Sequence, residues 1–229
     1  MAPLAATLRT AGRRALEVPA DVTVKSDIAL VVERATAEFG RIDVLVNNAG
    51  VVGVHQLEIY PEEDFDRVLA VNLKGPFLVS QAVGRTMIEA GGGAIVNVTS
   101  LAGHTPSPGS VAYSVSKAGL IMLTRQIALE WGPHGIRCNA VSPGATNWAM
   151  GGLDQHAEAV AAAGRVIPLG QAATPRDVGS VVAFLASDDA RHVSGQALGV
   201  DGGFSSALLT YLQREMGFEV ETAEWSRPT

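Results

Sequence analysis

The sequence predicts an α/β fold, an open sandwich in which helices cover both faces of a parallel sheet. Three observations point there. Short apolar runs alternate with longer stretches whose apolar residues recur every three or four positions. The short runs are almost wholly apolar, as expected of strands buried on both faces. Each run also ends in a set of Asp, Asn, Ser, Pro or Gly residues, and in such sheets ligands bind beyond the carboxyl ends of the strands.

In chain order, residues 2–11 read as the end of an amphipathic helix stopped by Gly12. Ala15–Ala20 is a short strand, followed by Asp21. Val24–Phe39 places Ile28, Val31, Val32 and Ala35 on one helical face, and Gly40 ends it. Ile42–Val46 is an apolar strand that runs straight into Asn47-Asn48-Ala49-Gly50. Tyr60-Pro61-Glu62-Glu63 opens the next helix, because proline suits the first turn and acids complement the positive end of the dipole. Phe65, Val68, Leu69 and Asn72 then share one stripe, which puts an amide on a core-facing position. Pro76 removes a backbone donor just beyond, predicting a kink near Asn72 before the helix resumes to about Ala90.

Ala94–Val98 is the next strand, with Ser100 after its end, and Val111–Trp131 is a long helix. Ile136–Val141 is a strand closed by Ser142-Pro143-Gly144. A short helix is expected at Leu153–Ala163, where Trp148, Met150 and Leu153 suit an apolar lid. Thr174-Pro175-Arg176-Asp177 is a capped helix start, and that helix runs to about Ser187. Gln196–Val200 is the last strand, ended by Asp201-Gly202-Gly203, and Ser205–Met216 reads as a further helix. Residues 1–204 form a single domain and 205–229 a tail.

Composition narrows the function. With 47% hydrophobic and 17% charged residues, the 229-residue chain can bury a sizeable core. A net charge of −6 without a basic patch argues against nucleic acid as a partner. No apolar run approaches the roughly 20 residues of a membrane span, so no membrane partner is expected. The single cysteine, Cys138, excludes an intrachain disulfide and suits a reducing, cytoplasmic setting. The five histidines show no metal-ligand spacing, so no metal site is expected; His104 and Pro106–Pro108, in the loop before Tyr113, are candidates to line a pocket.

The chemistry gathers between Gly91 and Lys117. Tyr113 and Lys117 are four apart on a helix and share a face. A free phenol titrates near pH 10, and a nearby ammonium favours its ionised form. Ser100, at a strand end, adds a hydroxyl able to hydrogen-bond a substrate oxygen while Tyr113 exchanges a proton.

These residues resemble the short-chain dehydrogenase/reductase family. The matching pieces are Asp21-Val22, NNAG at 47–50, VNLKG at 71–75, Ser100, YSVSK at 113–117, Ser142-Pro143-Gly144 and GQALGVDGG at 195–203. The resemblance implies a Rossmann-type doubly wound parallel sheet and a catalytic set of Ser100, Tyr113, Lys117 and Asn72. Tyr113 would be the acid/base, Ser100 would polarise the carbonyl, and Lys117 would hold the nicotinamide ribose. Asn72 would hold a water in a proton relay. The implied cofactor is NAD or NADP, contacted by Asp21, Val22, Asn48, Ala49, Gly50, Tyr113, Lys117, Pro143, Gly144 and Thr146. The substrate would be a small-molecule alcohol or carbonyl compound of the 3-oxoacyl-thioester or sugar/polyol type. The helices Glu62–Ala90 and Val111–Trp131 would pair subunits into a homodimer or homotetramer.

Two features depart from the family. Its opening strand, TGxxxGxG turn and helix, and its second strand, are not found in this sequence. The expectation is therefore an N-terminally truncated form of a functional enzyme, with a non-catalytic subunit acting through association with related chains as the alternative. Trp148 stands where the family usually places a threonine, and Thr146 is the nearby substitute. In the family's strand order, Ala15–Ala20 and Ile42–Val46 would lie three spacings apart, roughly 14 Å. If the chain folds alone, either Ala15–Ala20 shifts to pair with Ile42–Val46 or another chain fills the gap.

Overall fold

The structure, a computed structural model, describes residues 2–146 and 164–207. Within them, four strands form one parallel sheet: β1 (Val44–Asn47), β2 (Gly93–Val98), β3 (Ile136–Pro143) and β4 (Ala197–Val200), in that order across the sheet. The helices are α1 (Ala2–Thr10), α2 (Lys25–Phe39), α3 (Glu62–Leu69), α4 (Gly75–Glu89), α5 (Val111–Trp131) and α6 (Pro175–Ala186). The expected helices at Leu153–Ala163 and, beyond Ala207, in the tail lie outside the described residues, as do Trp148 and Met150.

β2 shows why its sequence lacks alternation. Ile95 packs with Val83, Met87, Ile127, Ile136 and Cys138 under α4 and α5, while Val96 packs with Val141, Leu185 and Ala190 under α6. Both faces of the strand are therefore core. The α4–α5 side closes tightly: a Cβ at Gly84 would come within 2.4 Å of the Trp131 ring, so only glycine fits beneath it. α6 begins as its sequence dictates, with Thr174 and Asp177 forming a reciprocal capping box and Pro175 in the first turn.

The kink expected near Asn72 is a π turn, Ala70–Lys74, between α3 and α4, in which the Gly75 N–H reaches back to the Ala70 carbonyl. Pro76 has no N–H to offer the Asn72 carbonyl four residues earlier, so the α-helical ladder cannot close there.

Ala15–Ala20 is not a strand, and it does not pair with β1. Pro19 removes a ladder donor from a six-residue run, and no described strand lies beside it to provide the non-local bonds a strand needs. The segment is held instead by arginines. Arg9 donates to the Ala15 carbonyl at 2.9 Å, and Arg14 bonds the Glu38 carboxylate at 2.8 Å while lying 5.0 Å over the Phe39 ring. β1 is consequently the sheet edge among the described residues, with Val44 and Val46 each 41% exposed. Between it and α2 lies an apolar groove of about 500 Å³, bordered by Val22, Val31, Phe39, Val44 and Leu45.

Candidate active site

A second cavity of about 500 Å³ opens at the carboxyl ends of β1, β2 and β3. It gathers Asn48 and Gly50 from after β1, Ser100 from after β2, Tyr113 and Lys117 from α5, and Pro143, Gly144 and Thr146 from the end of β3. Pro175, Val178 and Val182 of α6 form an apolar wall.

Ser100 caps a short 3-10 turn, Leu101–Gly103: its Oγ accepts the Ala102 N–H at 3.1 Å. A lone pair is thereby committed inward while the hydroxyl hydrogen stays free for an acceptor in the cavity. Lys117 is only 4% exposed, and burial pushes its ammonium down to about 8. Its Nζ donates to the Val98 carbonyl at 2.8 Å and lies 5.7 Å from the Tyr113 ring centre. An ammonium has three donors. Val98 is its one hydrogen-bond partner among the described residues, so the rest of its donor capacity faces the cavity.

Asn72 is fully buried behind the cavity wall. Its Oδ1 accepts the Val51 N–H at 2.8 Å, and its Nδ2 donates to the Val51 carbonyl at 2.9 Å and to Ser116 Oγ at 3.1 Å. Ser116 in turn donates to the Tyr113 carbonyl at 2.7 Å. The amide thus braces the loop after β1 against the start of α5, and its N–H groups are spent on protein. The acceptor that Pro76 deprives of an α-helical donor is the Asn72 backbone carbonyl. Gly50 stands between these groups: an added Cβ would lie 3.4 Å from Asn72 Oδ1 and 3.6 Å from Lys117 Nζ.

Other candidates fall elsewhere. Asp21 is exposed, and the Thr23 backbone N–H and hydroxyl, at 2.8 and 2.7 Å, hold its carboxyl below the usual range. Val22 packs on Gly75 beside the groove at β1. Asp21, Val22 and Ala49 do not line the second cavity. Thr146 does, with its Oγ1 donating to the Gly144 carbonyl at 3.2 Å. His104 is exposed and does not line the cavity; its Nε2 lies 2.9 Å from Ser142 Oγ.

Sequence reasoning missed Thr99, Val52, Val178 and Val182, which also line the cavity. It missed the buried amide ladder as well: Asn47 Nδ2 donates to Asn97 Oδ1 at 2.8 Å, and Asn97 Nδ2 to Thr124 Oγ1 at 2.9 Å. The available signal was Asn97, a lone amide in an apolar strand.

A family model described as enoyl-(acyl carrier protein) reductase matches residues 1–205. D-threitol dehydrogenase of Mycolicibacterium smegmatis is 40% identical over 185 residues, covering 81% of this chain and 71% of that protein. The 3-oxoacyl-[acyl-carrier-protein] reductase FabG of Thermotoga maritima is 44% identical over 183 residues, covering 80% and 74%. A gluconate 5-dehydrogenase from Burkholderia cenocepacia J2315, solved in complex with NADP and tartrate, has a TM-score of 0.84 at 32% identity and covers 90% of this chain and 81% of that one.

Proposed function

The chain belongs to the short-chain dehydrogenase/reductase family, and from that premise we propose that it is an NAD(P)-dependent oxidoreductase interconverting a secondary alcohol and a ketone. The observation that carries this reading is the convergence of Ser100, Tyr113 and Lys117 on one cavity. A buried ammonium with spare donors is also what a ribose diol would satisfy, so the residues present fit a nicotinamide nucleotide.

Lys117, Tyr113, Asn48 and Gly50 would hold its ribose side, with Ala49 in the same loop between Asn48 and Gly50; Pro143, Gly144 and Thr146 would hold its nicotinamide side, and Asp21-Val22 would meet the adenosine end. When bound, that cofactor gives or takes the hydride. The Ser100 hydroxyl donates to the substrate oxygen and fixes its position. In the reducing direction Tyr113 passes its phenolic proton to that oxygen, and in the oxidising direction it takes the proton back. The Lys117 charge stabilises the phenolate between these events. Asn72 keeps the loop and α5 aligned, and its carbonyl is the acceptor offered to a relay water.

The substrate classes favoured are a polyol, as in D-threitol dehydrogenase, and a 3-oxoacyl thioester, as in the FabG relative. The test is to supply NADH or NADPH with a panel of such carbonyl compounds, and the oxidised forms with the alcohols, and follow reduced-nicotinamide absorbance. Turnover is expected with one pair; none with either coenzyme in either direction refutes the reading. That outcome would favour a non-catalytic subunit acting through association with related chains, a reading supported by the edge position of β1 among the described residues and by its apolar groove.

Residues 1–204 would act as the catalytic domain, with 205–229 as a tail. A cytoplasmic setting suits the free, buried thiol of Cys138. A homodimer or homotetramer is favoured by α5, where Val115, Met122 and Leu129 recur every seventh residue and are 50%, 58% and 74% exposed. Met122→Glu should convert the assembly to monomers by light scattering, and an unchanged mass would exclude this face as the contact.

A further inference from the structure

We infer that His104 is a positioning residue for Ser100, acting through a hydrogen-bond chain with a fixed direction. The chain is read from its far end. The Val141 carbonyl can only accept, so Thr99 Oγ1, at 2.9 Å, spends its one proton there. Ser142 Oγ, 2.7 Å from Thr99 Oγ1, must then donate to it. With that proton spent, Ser142 can only accept from His104 Nε2 at 2.9 Å. His104 therefore carries its proton on Nε2 and donates. Thr99 and Ser142 are buried, so water does not compete for the inner links.

The location gives this chain a use. Ser100 caps the start of the turn Leu101–Gly103 by accepting the Ala102 N–H, and His104 is the residue that ends the same turn. The turn is thus pinned at both ends, by Ser100 itself and by the His104 tether to the end of β3. Ser142 directly precedes Pro143-Gly144, so the tether also sets Ser100 against the opposite wall of the cavity. Cutting it leaves the Ser142–Thr99–Val141 links in place but frees the turn that aims the Ser100 hydroxyl.

The inference rests on the reading of Ser100 as the donor to the substrate oxygen, and its test separates the two. His104→Ala removes the tether, and His104→Gln restores a donor near the Nε2 position. Losing one hydrogen bond should lower kcat about tenfold for His104→Ala, with coenzyme KM unchanged. His104→Gln should recover most of that loss. In a Ser100→Ala background His104→Ala should have no further effect; an additive loss, or an unchanged kcat in the single variant, overturns the inference.

Two readouts need no turnover. Amide exchange at the Ala102 N–H should be about tenfold faster in His104→Ala than in the native chain and slow again in His104→Gln, and unchanged exchange overturns the inference. Nitrogen chemical shifts of the native ring should show a proton on Nε2, and a ring with Nε2 bare likewise overturns it. A native chain that turns over nothing, yet shows these exchange and tautomer results, would refute the proposed activity while upholding the tether.

Discussion

Tyr113→Phe should reduce turnover by about 10²–10⁴-fold, the usual weight of a positioned acid/base, while leaving the fold intact and weakening coenzyme binding by no more than one ribose hydrogen bond, about 1 kcal/mol. The phenol oxygen has no hydrogen-bond partner among the described residues, so deleting it leaves no buried group orphaned. The backbone role of Tyr113 survives, because Ser116 bonds its carbonyl rather than its side chain. The phenyl ring remains beside Lys117, which lies one turn further along the same face of α5. The measurement is kcat and coenzyme Kd alongside a thermal melt. Turnover retained within a few-fold of the native chain would remove Tyr113 from the proton path.

Lys117→Met should act in opposite directions on stability and activity. The native ammonium is buried, and its affinity for a proton falls from the ordinary 10.5 to about 8 on folding. Between those values the unfolded chain binds more protons than the folded one, so stability should rise as pH increases from about 8 to 10.5. Below pH 8 the full penalty applies, and a shift of this size corresponds to about 3 kcal/mol. Methionine removes the charge and keeps the stem. The Val98 carbonyl loses its Lys117 donor, which costs about 1 kcal/mol. The net expectation is a variant about 2 kcal/mol more stable at pH 7, without the alkaline rise. Turnover should fall about 10²-fold or more, because the phenolate loses its cation and the ribose its donor. Denaturant melts across pH would show this, and a Lys117→Met chain less stable than native at pH 7 would contradict it. The chain then retains a destabilising ammonium for what it does in the cavity.

These two residues were legible from sequence because their information is local. The spacing of Tyr113 and Lys117 fixes a shared face, and α5 has the bounds its pattern predicts, Val111–Trp131. The break at Asn72 was legible for a similar reason: Pro76 cannot donate, whatever surrounds it. Ala15–Ala20 failed because a strand is defined by its partner, and apolar composition does not provide one. Asn47 belongs to the same motif as Asn48 and Gly50, yet it turns into the sheet to meet Asn97, its register partner on β2. Only pairing across strands decides which side such an amide takes. The placement of Asp21-Val22 outside the cavity and the direction of the His104 chain are likewise tertiary facts. No spacing within one segment contains them.

The π turn at Ala70–Lys74 can also be described as a phase slip. Its bond reaches back five residues rather than four, so α3 and α4 run one residue out of step. Deleting one residue from this turn would bring α3 and α4 into one helical phase, with the ladder interrupted only where Pro76 lacks its N–H. It would also rotate α3 by roughly 100° about the shared axis, the angle of one residue. Val68, now fully buried, would swing toward solvent, and the groups that meet at Val51 and Ser116 would part. A more ideal helix and an aligned site are alternative settings of the same segment, and this chain holds the second.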